Sequence, residues 1–101
     1  MQDRIGDVMD EPLAPDATKK LICEILRAGR FTYSRHAKEE LLADDLSTLD
    51  CENVLRGGAV RPGEFEHGTW RYRVETGRIT VVVAFRSEHE LVVVTAWRVG
   101  H

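Results

Sequence analysis

The sequence has no apolar run approaching the ~20 residues that carry a helix across a bilayer, so no membrane partner is expected. Its first residues, Met1-Gln2-Asp3-Arg4-Ile5, lack the charged-then-apolar layout of a secretory leader. Cytoplasmic residence is the resulting expectation. Cysteine is scarce: Cys23 and Cys51 each fall in a predicted helix, and neither has a second Cys or His at metal-ligand spacing. That leaves buried reduced thiols as the reading, since a disulfide would require an oxidising compartment. Also missing are a nucleotide-binding loop, a serine- or cysteine-nucleophile signature, and any internal repeat. No cofactor and no metal are expected.

What is present suffices for one hydrophobic core and not for two: 101 residues, 43% hydrophobic and 31% charged. The formal charge of −3 is unevenly spread. Residues 1–18 hold Asp3, Asp7, Asp10, Glu11 and Asp16 against Arg4, a net of −4, which leaves +1 for the remainder. An acidic, proline-punctuated start without periodicity reads as a flexible arm over residues 1–15, ahead of a single α+β domain over 16–101.

After Pro15, Asp16 is placed to cap a helix reaching about Ala28, with Leu21, Ile22, Ile25 and Leu26 as its apolar stripe and Gly29 as its stop. Phe31-Thr32-Tyr33 reads as a short extended connection. Ser34 caps a second helix, about Arg35 to Asp45, with Ala37 and Leu41 facing inward. A third opens at Ser47, where Asp50 closes a capping box and Leu46 and Cys51 occupy the staple positions. Gly57-Gly58 ends it.

From Gly68 onward the period changes to two. Trp70 to Glu75 alternates as a half-buried strand, Thr76-Gly77 suits a hairpin turn, and Arg78 to Arg86 is the apolar run of a central strand. After a turn centred on Glu88-His89, Leu91 to Val99 forms a third strand, and Ala59 to Glu66 adds an edge strand broken at Pro62-Gly63. The expected fold is α+β: two or three N-terminal helices packed on one face of a three- to four-stranded antiparallel sheet.

Hairpin register turns these strands into two faces. A Thr76-Gly77 turn sets Glu75 opposite Arg78 and Arg73 opposite Thr80. The second turn sets Arg86 opposite Leu91, Val82 opposite Thr95, and Thr80 opposite Trp97. The core face then carries Trp70, Tyr72, Val74, Ile79, Val81, Val83, Phe85, Val92, Val94 and Ala96. The other face carries Arg71, Arg73, Arg86, Thr80, Thr95 and Trp97 around Val82, Ala84, Leu91 and Val93. Guanidiniums, hydroxyls and an indole on one surface suit phosphate binding and base stacking; a solvated face that docks a partner fits the same pattern. The apolar patch calls for cover by a partner chain, a second copy in a homodimer, or the N-terminal arm.

The chain resembles a bacterial family defined only as a domain of unknown function and grouped with the RelE-like and BrnT-like toxins. The resemblance rests on Ser34-Arg35-His36-Ala37 opening a helix, Gly57-Gly58 closing one, the Trp70-Arg71-Tyr72-Arg73 strand, and the closing Val92-Val93-Val94-Thr95-Ala96-Trp97-Arg98. A looser similarity to MqsR-like toxins lies in the order of helices and sheet. The resemblance implies a RelE-like fold and the toxin component of a toxin–antitoxin pair, with a cognate antitoxin and RNA, free or on the ribosome, as partners. Glu40 and Asp44 depart from the pattern, because relatives often carry Arg there.

RelE-like cleavage needs no metal. The ribose 2′-hydroxyl attacks its own phosphate, so the protein must move protons and stabilise added negative charge. His36 is the acid or base candidate, since histidine changes charge near neutral pH and a helix N-terminus favours phosphate. Arg71 and Arg73 are the phosphate clamps, with Arg86, Thr95, Trp97 and Arg98 as further RNA-binding candidates. Arg98 falls on the core-side face, at the sheet edge or against a helix carboxylate. His36, Glu40 and Asp44 share a helix face at i, i+4 and i+8, which reads as a solvated charged face before it reads as a metal site. The expectation is a metal-independent endoribonuclease; the alternative is a non-catalytic protein- or RNA-binding module with the same fold.

Overall fold

A computed structural model of the chain describes residues 9–100. Local signals account for its three helices, α1 (Pro15–Ala28), α2 (Arg35–Ala43) and α3 (Thr48–Gly57). Pro15 takes the first helical position, where its fixed φ fits and its missing N–H costs nothing. Ala14 is therefore the N-cap of α1. Asp16, expected to cap, lies in the first turn, and its carboxylate accepts from the Ala17 amide at 2.9 Å.

On α2, the Ser34 hydroxyl accepts from the Ala37 amide at 3.0 Å. The helix stops at Ala43, short of the expected Asp45, because Asp45 adopts the left-handed conformation (φ 54°). The Leu46 amide then reaches back to the Leu41 carbonyl at 2.8 Å, with both leucines buried, which is a Schellman closure. On α3, Ser47 and Asp50 cap each other's backbone amides, and those Ser47 bonds hold the Asp50 carboxyl below its usual range.

Six strands follow the order β1-β6-β5-β4-β2: β1 (Arg30–Tyr33), β2 (Ala59–Val60), β4 (Thr69–Glu75), β5 (Ile79–Ser87) and β6 (Glu90–Arg98), with β3 (Glu64–Glu66) also paired to β4. The supposed connection Phe31-Thr32-Tyr33 is thus an edge strand. It runs parallel to β6, from Arg30 opposite Glu90 to Tyr33 opposite Val93, so the sheet is mixed and larger than expected. A parallel neighbour drawn from so far along the chain leaves no local signal.

The first hairpin turns at Gly77-Arg78, not Thr76-Gly77. The Thr76 amide bonds to the Ile79 carbonyl at 2.9 Å, and its hydroxyl accepts from the Arg78 and Ile79 amides. Glu75 consequently faces Thr80, and Arg73 faces Val82. This shift of two residues keeps side chains on their expected faces. The second hairpin has Ser87 opposite Glu90 around Glu88-His89, with Val82 opposite Thr95 and Thr80 opposite Trp97 as expected.

Between those two registers β6 slips by one residue, since Val83 faces Val93 directly beside the Val82–Thr95 pair. Val94 is the extra residue on β6, and Arg86 is the compensating one on β5, between the Phe85–Leu91 and Ser87–Glu90 pairs. The bulge reverses four assignments. Leu91 and Val93 enter the core, both fully buried, while Val92 and Val94 turn outward and stay partly exposed.

The core joins Ile22, Ile25, Ala37, Leu41 and Leu55 from the helices to Tyr72, Val74, Val81 and Val83 from the sheet. Cys51 is buried within it; Cys23, also expected inside, is exposed. Of the segment read as an arm, residues 1–8 lie outside the described residues. Glu11 to Leu13 is fastened to the body: the Tyr72 hydroxyl donates to Glu11 Oε2 at 2.8 Å and accepts from the Leu13 amide at 3.1 Å. Among the described residues no helix is long and apolar enough to cross a membrane.

The Ser34 hydroxyl also donates to the Val94 carbonyl at 2.9 Å. Ser34→Ala removes both cap and tether and is expected to cost about 1–2 kcal/mol in urea denaturation. Burial pushes the Cys51 thiol from 9.0 to about 11 and the Tyr72 phenol from 10.0 to about 12. The folded state holds these protons more tightly, so their contribution is complete below the unfolded values and is lost as pH rises through the folded ones. Unfolding free energy measured against pH should decline above pH 9.0, and Tyr72→Phe should make the part of that decline above pH 10.0 shallower.

Candidate functional site

Alternation on β4 places Arg71, Arg73 and Glu75 on the face opposite Tyr72 and Val74. The strand before it returns through His67-Gly68, both with positive φ (51° and 81°), the geometry of a tight two-residue hairpin. Glu66 therefore stands opposite Thr69, and Glu64 opposite Arg71. Three arginines on this surface have a carboxylate nearby. Arg71 Nη1 lies 3.8 Å from Glu66 Oε1, Arg73 Nη2 3.8 Å from Glu64 Oε1, and Arg61 Nε 3.9 Å from Glu75 Oε1.

These separations exceed hydrogen-bond length, and solvent-facing pairs of this kind are worth about 0–1 kcal/mol. Arg71 is the least exposed of the three, with 24% of its side chain accessible, and its buried Nε has no hydrogen-bond partner among the described residues. A buried donor left in that state costs about 1–3 kcal/mol. Arg73 lies over the Trp97 ring, its guanidinium carbon 5.6 Å from the centroid, within cation–π range.

Arg71, Arg73, Thr95 and Trp97 line one cleft of about 200 Å³, together with the buried Val82 and the exposed carboxylates Glu64 and Glu66. The other candidates lie elsewhere. His36, in the first turn of α2, has 64% of its side chain exposed and Nε2 3.9 Å from Glu40 Oε2. It does not line the cleft, but Ser34, two residues earlier, is bonded to the carbonyl of Val94, the neighbour of Thr95. Arg86 is exposed at the second bulge, outside the cleft.

Arg98 is committed elsewhere. Its Nε and Nη2 donate to the Asp44 and Asp45 carbonyls at 2.8 and 2.9 Å, a cation at the C-terminal end of α2. The Asp44 carboxylate in turn accepts from the Arg98 amide at 2.9 Å, so Asp44 clamps the end of β6. Among the described residues no group of three His, Cys, Asp or Glu side chains is placed to hold a metal ion. Glu64 and Glu66 escaped the sequence reading. The signal was present in His67-Gly68, whose turn fixes Glu64 opposite Arg71.

The cleft combines what phosphodiester chemistry requires: two guanidiniums for negative charge, carboxylates able to accept a proton, a hydroxyl, and an indole with which a base can stack. A family model described as "Domain of unknown function (DUF4258)" matches residues 33–98, more than half of the chain and all of the cleft, and the chain belongs to this family. No curated protein and no solved structure was found to match it.

The division between clamp and cleft is measurable. Arg98→Ala is expected to lower stability by about 1–2 kcal/mol, from two lost hydrogen bonds, while leaving tryptophan emission unchanged. Arg73→Ala should do the reverse, altering Trp97 emission with a stability change within about 0.5 kcal/mol.

Proposed function

We propose that this DUF4258 member is a toxin-type, metal-independent endoribonuclease, held silent by a cognate antitoxin protein, whose RNA site is the sheet cleft. The observation that carries the reading is the meeting of Arg71, Arg73, Thr95 and Trp97 in one cleft with Arg73 over the indole. The Ser34-Arg35-His36-Ala37 and Trp70-Arg71-Tyr72-Arg73 segments resemble a domain-of-unknown-function family grouped with the RelE-like and BrnT-like toxins, which supports it. Arg71 and Arg73 hold the scissile phosphate, and Trp97 stacks one flanking base. A carboxylate, Glu64 or Glu66, takes the proton from the 2′-hydroxyl as O2′ bonds to phosphorus. The P–O5′ bond breaks, His36 returns a proton to the departing O5′, and a 2′,3′-cyclic phosphate remains.

One observation favours a second reading, a non-catalytic module that docks a protein or RNA on the same face. Glu64, Glu66 and Glu75 match Arg71, Arg73 and Arg61 in number, so the cleft and its β2 side are close to neutral.

The deciding experiment is induced expression of the wild type beside His36→Ala and Arg71→Ala/Arg73→Ala, with growth followed and total RNA mapped for new ends. Arrest with fresh cuts is expected for the wild type, and cleavage at least about 100-fold weaker in each folded variant, the scale of one lost proton-transfer group. Intact RNA and unimpaired growth with soluble wild-type protein would overturn the proposal in favour of the docking module.

A further inference from the structure

A second cleft, about 460 Å³, adjoins the first at the sheet edge and is lined by Arg61, Pro62, Gly63, Glu64, Arg73 and Glu75. The two share Glu64 and Arg73, so they form one groove with Arg73 between its halves. A chain irregularity opens it. On one side Val60 pairs with Val74, and on the other Glu64 pairs with Arg71, which sets residues 61–63 against only Tyr72 and Arg73. The extra residue forces the edge outward, as a bulge does, and Pro62 is compatible with that because it has no amide to pair. Gly63 is required there, since a Cβ would sit 2.8 Å from the Tyr72 ring. The Arg61 amide donates to the Arg73 carbonyl at 2.9 Å, which fixes Arg61 beside Arg73.

Arg61 repeats the circumstances of Arg73: an exposed guanidinium with its carboxylate, Glu75, at 3.9 Å, close enough to attract and too far to hydrogen-bond. The groove runs across the strands, from Trp97 on β6 over Val82 on β5 and Arg73 on β4 to Arg61 beyond β2. Three interstrand steps make roughly 14 Å, a span that a di- or trinucleotide covers. An indole at one end and arginines in succession toward the other match an unpaired strand with exposed bases, not a duplex.

We infer that Arg61 is a second phosphate subsite of this groove, so that single-stranded RNA crosses the sheet with one base on Trp97 and successive phosphates at Arg73 and Arg61. The inference rests on the RNA reading of the cleft, and it adds a binding residue and a minimum ligand length. Each phosphate displaces a carboxylate from its guanidinium, exchanging a long ion pair for a charge-assisted hydrogen bond.

The test uses fluorescein-labelled 2′-O-methyl oligouridylates of one to six nucleotides, which cannot be cleaved by 2′-hydroxyl attack, and reads fluorescence anisotropy at several salt concentrations. Affinity is expected to rise up to three nucleotides. Arg61→Ala should weaken the trinucleotide about tenfold, reduce the slope of log affinity against log salt by about 0.7, and leave the mononucleotide unchanged. Arg61→Lys should restore most of the loss. If Arg61→Ala binds the trinucleotide as tightly as wild type while Arg73→Ala does not, the groove ends at Arg73 and this inference fails with the RNA reading intact. If the wild type binds none of the oligomers, the RNA reading falls as well and the face belongs to a protein partner.

Discussion

The architecture turns on a single extra residue, Val94. Strand β6 is held by β5 on one side and by β1 on the other, and α2 follows β1 along the same edge. It must send Leu91 and Val93 into the helices and Thr95 and Trp97 away from them. All four positions have the same parity, so a regular strand would put them on one face. The bulge at Val94 resolves the conflict. It also supplies the carbonyl that accepts from Ser34, the residue that caps α2. One backbone irregularity thus decides which residues fill the core, which line the cleft, and where the helix bearing His36 begins.

Charge on the outer face is balanced but loosely so. The three guanidiniums and three carboxylates sit 3.8–3.9 Å apart, in pairs that are partly exposed to solvent. Each such pair is worth at most about 1 kcal/mol, whereas a hydrogen bond to a charged group contributes about 1.5–3 kcal/mol. Exchange of a carboxylate for a well-placed phosphate is therefore favourable by magnitude. With a chain charge of −3, attraction at long range is not available to assist it. Recognition of an anion here has to depend on contact geometry.

What was legible in the sequence was local. Ser34, the Ser47–Asp50 box and Gly57-Gly58 mark helix ends within a few residues, and they fall where the caps are. The faces of β4 and β5 were also legible despite a misplaced turn, because the Thr76-Gly77 and Gly77-Arg78 alternatives differ by two residues in register and preserve parity. The parallel pairing of β1 with β6 was not, since Tyr33 and Val93 meet only when the whole domain is assembled. Nor was the bulge, because the run Leu91 to Val94 is uniformly apolar and carries no glycine or polar residue to mark the slip. The arginine cleft could be read because it depends on β4, β5 and the end of β6 beyond the bulge. Its carboxylates depended on recognising His67-Gly68 as a turn.

On the proposed reading, the spatial order of the elements is also the order of the chemistry. Crossing the sheet, β3 brings Glu64, β4 brings Arg73, and β6 brings Trp97. Seating a phosphate on Arg73 displaces Glu64 from its guanidinium, and the freed carboxylate then stands beside a phosphodiester whose 2′-hydroxyl must lose a proton. In the proposed reaction, binding of the anion and release of the carboxylate are one event, so the acidic residues that neutralise the resting face also take part in it.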